Sequence, residues 1–192
     1  MQQQIKNIIK ASIDTKQQIL QDEALVSEVE KVAMVVTEAF RKGNKVLLCG
    51  NGGSAADAQH IAAEFSGRFY SDRDPLPSEA LHCNTSYLTA VGNDYGFEYV
   101  YSRIVKGMGK SGDILIGLST SGNSVNIINA IEQAKKIGMI TVGFTGKGGK
   151  MKDLCDHIIN VPSTDTPRIQ EAHIMVGHIV CQLVEEQLFN KS

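Results

Sequence analysis

Two segments rich in serine and glycine carry the clearest chemistry in this chain: CGNGGS at 49–54 and STSGNS at 119–124. Each follows a short apolar run and precedes a helical pattern. Glycine lets backbone approach an anion, serine adds hydroxyl donors, and the following helix offers free N–H groups and the positive end of its dipole. Either loop taken singly is also what a tight turn and an N-cap require. The pair, at matching places, points to a phosphomonoester, with Ser119, Ser121 and Ser124 as main donors. No GxxxxGKS or GxxxxGKT stretch is present, so a nucleoside-triphosphate loop is unsupported. GNGGSA is not GxGxxG, and no acidic residue clearly ends the second strand, which argues against a dinucleotide.

Acid, base and metal candidates lie on two helical stretches. Asp57, His60 and Glu64 fall at i, i+3 and i+7, so His60 and Glu64 share a face. An imidazole and a carboxylate so placed suit a divalent metal; the same spacing also serves an ordinary solvated helix face, and spacing leaves both open. The segment RIQEAHIMVGH (168–178) puts Gln170, His173 and His178 into an apolar helix, where burial requires partners. Gln170 and His178 are about 12 Å apart along a helix axis, a long reach for one ion. Leaning side chains, a helix start at Gln170, or ligands from different subunits would each resolve that. His173, His82 and His157 are read as satisfied or exposed histidines.

The elements that must position these groups follow a regular rhythm. Residues 1–42 predict two helices, broken and N-capped around Gln21-Asp22-Glu23. KVLLCG, DILIGLS, ITVGFTG and HIINVP are short apolar runs suited to strands buried on both faces, and EALHCN (79–84) adds another. Helices are expected over 54–65, 125–137 and 168–188. Alternation of this kind predicts an α/β fold with a parallel sheet, in one domain over 1–192. Ser71 to Pro77 reads as a loop joining a helix to a strand. The apolar surface of the N-terminal pair exceeds what one sheet face needs, which points to use in oligomer contacts.

Composition narrows the function classes. With 42% hydrophobic and 21% charged residues, the chain has the usage of an ordinary globular protein. A net charge of −2 predicts no broad attraction to nucleic acid or to anionic membrane. No run approaches the roughly 20 apolar residues of a membrane span. The N-terminus is amphipathic rather than a signal-peptide core, and four scattered cysteines without a CxxC pair suit reduced thiols, so a cytoplasmic location is expected.

CGNGGSAADAQHIAAEFSGRF (49–69), AVGNDYGFE (90–98), GDILIGLSTSGNSVNII (112–128), TGKGGKM (145–151) and RIQEAHIMVGHI (168–179) together resemble the sugar-isomerase (SIS) fold, and within it the phosphoheptose isomerase family. The resemblance spans essentially the whole chain. It implies a three-layer sandwich around a central parallel sheet, with the N-terminal helical pair as an extension. It implies one zinc ion per subunit on His60, Glu64, Gln170 and His178. Sugar-phosphate contacts would come from Asn51, Gly52, Gly53, Glu64, Asn93, Asp94, Ser119, Thr120, Ser121, Ser124 and Gln170. The implied reaction interconverts sedoheptulose 7-phosphate and D-glycero-D-manno-heptose 7-phosphate, opening the supply of activated heptose for lipopolysaccharide or other surface glycans. Glu64 and His178 would be the catalytic pair, in a homotetramer with active sites at subunit contacts. The rivals are a non-catalytic SIS module of the DnaA initiator-associating type and an SIS isomerase of another sugar phosphate. Glu64, His178 and CGNGG rather than CGNGT favour the enzyme. Roles for Asp57 and Asp165 stay open.

Overall fold

The computed structural model describes residues 1–189; the last three residues of the expected 1–192 domain lie outside them. The N-terminal pair is α1 (Gln2–Gln21) and α2 (Glu23–Arg41), with Asp22 between them accepting the Leu25 N–H at 3.0 Å as N-cap. Then follow β1 (Val46–Gly50), α3 (Gly53–Ser66), β2 (Ser78–Ala80), α4 (Thr85–Tyr95) and α5 (Val100–Met108). The chain continues through β3 (Ile114–Ser119), α6 (Val125–Ile137), β4 (Ile140–Thr145), β5 (His157–Asn160) and α7 (Thr166–Phe189).

All strand pairs are parallel, in the order β2-β1-β3-β4-β5. Because side chains alternate along a strand, the sheet divides its apolar residues between two cores. Val46, Leu48, Ile114, Ile116, Val142 and Phe144 pack with α2, α3 and α7, while Leu47, Cys49 and Leu115 pack with α5 and α6. The three-layer α/β sandwich expected from the sequence is thus the observed architecture. Neighbouring β1 and β3 send their chains to opposite faces, into α3 and α6. That divergence is the topological switch point, where an open sheet forms its crevice.

Two details depart from the expected elements. The run at 79–84 pairs with β1 only over Ser78–Ala80; beyond it, Asn84 turns to cap α4 by accepting the Tyr87 N–H. Helices α4 and α5 had no counterpart in the sequence pattern. In α1 only Thr15 and Ile19 are buried, whereas Ile5, Ile8, Ile9, Ile13 and Leu20 are all at least half exposed. The four cysteines carry free thiols. No described helix is long and apolar enough to cross a membrane.

His173 ties α7 to the sheet and is satisfied on one side only. Its ring Nε2 donates to the Thr145 carbonyl at 3.1 Å, which leaves the buried Nδ1 without a partner. Burial pushes the imidazole down to about 4, against the opposing pull of the Thr145 bond. Between that value and the unfolded 6.5, the unfolded chain binds a proton that the folded chain refuses, so stability falls as pH falls through this window. The loss amounts to about 3 kcal/mol. Urea midpoints measured from pH 7 to pH 4 should therefore drop more steeply for the native chain than for His173→Gln, whose amide can keep the bond to Thr145. Parallel curves for the two proteins would contradict this account.

Candidate active site

The serine loop leaves β3 and enters α6. Ser119 is buried, with its Oγ 2.9 Å from Ser124 Oγ and 3.4 Å from Ser121 Oγ. The three hydroxyls satisfy one another and can rotate outward to an anion. Among the described residues, the N–H groups of Val125 and Asn126 in the first turn of α6 find no hydrogen-bond acceptor, the usual state of a helix start. Thr120 holds the floor of the loop, its carbonyl accepting the Gly146 N–H at 3.1 Å. Gly122 turns at φ +64°, and a Cβ there would lie 2.7 Å from the Gly148 carbonyl oxygen. The glycines of 146–149 thus brace the serine loop from behind.

The second loop is locked to the first across the switch point. Asn51 and Asn126 exchange side-chain amide bonds at 2.9 Å in both directions, a contact between loops that no local spacing announced. Buried Tyr101 donates its hydroxyl to the Gly50 carbonyl and fixes the end of β1. Gly52 and Gly53 are exposed at the start of α3, and a Cβ on Gly53 would sit 2.6 Å from Gln170 Nε2. Gln170 therefore rests directly over the glycine loop.

Side-by-side packing of α3 and α7 sets Gln170 and His178 against different turns of α3. Gln170 meets the first turn of α3, and about two turns further along His178 meets His60. Between them Gly177 permits the approach, since a Cβ there would fall 2.5 Å from Ile61 Cδ1. His60 Nε2 donates to Glu64 Oε1 at 2.9 Å and stands 3.3 Å from His178 Nε2. Ligand atoms of His60, Glu64 and His178 all lie within 4.8 Å of one another. Two imidazole nitrogens and a carboxylate oxygen thus converge, a donor set suited to one divalent cation. Tetrahedral zinc with Zn–N near 2.0–2.1 Å would separate two nitrogens by about 3.3 Å. The residues present fit a metal.

Other expected site residues stand apart. Asn93 and Asp94 are exposed at the end of α4, joined to each other at 2.9 Å, and no hydrogen bond among the described residues links them to either loop. Asp165 supplies the carbonyl that accepts the Ile169 N–H at the start of α7, a capping position. Asp57 is half-buried beside His60, with Oδ2 buried and unpartnered; burial raises its carboxyl and the His60 charge acts the other way. A cavity of about 490 Å³ opens beside His178, lined by residues that include Lys16, Phe69, Glu171 and Gln182. Phe69, whose ring lies 5.7 Å from that of His178, is a neighbour of the site that no spacing in the sequence announces.

A parallel sheet with two anion-type loops at its switch point defines the class, and the family model for the SIS domain matches residues 8–146. The phosphoheptose isomerase of Aneurinibacillus thermoaerophilus is 58% identical over 190 residues, covering 98% of this chain and 96% of that protein. That of Clostridium acetobutylicum is 55% identical over 184 residues, covering 95% and 94%. The solved phosphoheptose isomerase of Neisseria gonorrhoeae superposes with a TM-score of 0.91 at 41% identity, over 96% of this chain and 98% of that one. The chain belongs to the phosphoheptose isomerase family of SIS-domain proteins, and it is a sugar-phosphate isomerase.

Proposed function

We propose that this enzyme interconverts sedoheptulose 7-phosphate and D-glycero-D-manno-heptose 7-phosphate in the cytoplasm, the first step towards activated heptose for surface glycans. The convergence of His60, Glu64 and His178 on α3 and α7, two helices that meet again at the glycine loop, carries the reading. Phosphate sits on the hydroxyls of Ser119, Ser121 and Ser124 and at the start of α6, with Asn51, Gly52, Gly53 and Thr120 shaping the rest of the cradle. Anchoring the far end of the open-chain sugar brings C1 and C2 to the carboxylate and imidazole. Asn93 and Asp94 are assigned to the sugar on family resemblance alone.

Glu64 removes the proton from C1 of the ketose and returns it to C2, while His178 moves protons between the two oxygens. Glu64 can serve as both ligand and base because its oxygens differ. Oε1 faces His60, whereas Oε2 takes part in no hydrogen bond among the described residues. His60, Glu64 and His178 would hold the zinc ion, with Gln170 as a further ligand on family resemblance alone; when bound, zinc would polarise the sugar oxygens and stabilise developing negative charge. The exposed stripe Ile5, Ile8, Ile9 and Ile13 on α1 supports a subunit contact, in a tetramer.

A panel of pentose, hexose and heptose phosphates, assayed with metal analysis of the purified protein, tests this assignment. Sedoheptulose 7-phosphate should be preferred, with about one zinc per chain by resemblance and by the donor set. Dialysis against a chelator should abolish turnover and added zinc should restore it. Preference for a shorter sugar would reassign the substrate, and full turnover without metal would remove zinc from the scheme.

A further inference from the structure

We infer that the buried ion pair between Arg73 and Glu185 is the positioning device that sets Glu64 and His178 against each other. Arg73 lies in the 71–77 loop and Glu185 near the end of α7, and their side chains are only 2% and 3% exposed. Arg73 Nε donates to Glu185 Oε2 at 2.8 Å. The rest of its guanidinium is spent on main-chain carbonyls, two of them at the end of α3: Nη2 donates to the Glu64 carbonyl at 2.8 Å, and Nη1 to the Phe65 and Asp74 carbonyls, each at 3.0 Å. The residue that carries the proposed base is thus held by its own main chain.

The other half of the pair works on the His178 side. Besides Arg73, the Glu185 carboxylate accepts the N–H groups of Phe69 at 3.2 Å, Tyr70 at 2.9 Å and Ser71 at 2.7 Å. Those bonds fix the segment whose Phe69 ring lies against the His178 ring. Burial alone would raise the Glu185 carboxyl; its N–H and guanidinium donors overcome that and hold it below the ordinary range. A buried pair is weak evidence for stability, because apolar residues of similar volume often do as well. Here the contacts instead converge on the two segments that carry Glu64 and contact His178, which is the requirement for setting geometry. Neither residue touches the sugar phosphate in this scheme, so both are positioning residues.

The inference rests on the proposed catalytic roles of Glu64 and His178, and the test separates the two. Arg73→Lys keeps the charge but loses the planar fork to the α3 carbonyls. Glu185→Gln keeps the shape but turns an amide NH2 towards backbone N–H groups. In whichever variant folds, as judged by circular dichroism and thermal unfolding, kcat should fall by about ten- to a hundredfold. KM should change by less than about threefold, because the serine loop is untouched. In protein labelled at histidine, the imidazole resonances of His60 and His178 should shift while those of His82 and His157 stay. Wild-type kcat per folded molecule, or unmoved His60 and His178 resonances, would overturn the inference. If the native protein turns over no sugar phosphate, the functional reading fails by itself, and the imidazole resonances alone decide the positioning.

Discussion

Glu64→Gln should lower kcat by about 10²–10⁴-fold, the usual worth of a positioned general base. The amide matches the carboxylate in size and can still meet His60 through its oxygen, so the helix packing around it is preserved. What it lacks is a basic oxygen facing the sugar and a negative charge among the two imidazoles. Glu64 is partly accessible and makes one side-chain bond, to His60, so the fold has little dependence on it. Thermal unfolding should accordingly move by no more than about 1 kcal/mol, in the range of a solvated substitution. Steady-state rates and zinc content measured together separate its two roles. Lost turnover with zinc retained would leave Glu64 as the base; lost turnover with lost zinc would make it chiefly a ligand; near-native turnover would remove both.

Removing two phosphate donors should have an effect of similar size but different form. Ser119→Ala with Ser124→Ala deletes a mutually bonded pair at 2.9 Å, so the free protein loses both partners at once and little stability. The bound phosphate loses two hydrogen bonds to a charged group, each about 1.5–3 kcal/mol, or about 10²–10⁴ in kcat/KM together. Most of that should appear in KM, since the same contacts hold substrate and transition state. A loss confined to kcat would place the serines near the reacting carbons, opposite to the arrangement proposed.

Legibility in the sequence followed the range of the interactions. Helix α6 was read with its observed limits because a buried strand, the SGNS turn and Gly138 bracket it locally. The break and cap between α1 and α2 are legible within Gln21-Asp22-Glu23 for the same reason, and Asp22 is the residue that caps. Helices α4 and α5 were not, since α4 buries only Val91 and leaves Tyr95 exposed, and its periodicity is correspondingly blurred. The extent of β2 was overread because an edge strand pairs on one side and ends where its partner's hydrogen bonds end.

At the site, the loops were legible as phosphate chemistry because the residues that act together are neighbours in sequence. His60 and His178 are 118 positions apart, and their meeting depends on how α3 lies along α7. Gln170 and His178 face different turns of α3, so the long reach between them that the spacing implied persists in the fold. Arg73 and Glu185, 112 apart, left only faint signals: a lone arginine in a loop, and a carboxylate four residues after Cys181 on a buried stripe.

The most direct test of the central claim is to incubate the zinc-loaded protein with sedoheptulose 7-phosphate in deuterated water and follow the carbon skeleton by NMR. The account predicts an aldoheptose 7-phosphate carrying deuterium at C2, formed by the native chain and not by Glu64→Gln. Unchanged ketose in the presence of folded, metal-replete native protein would contradict it.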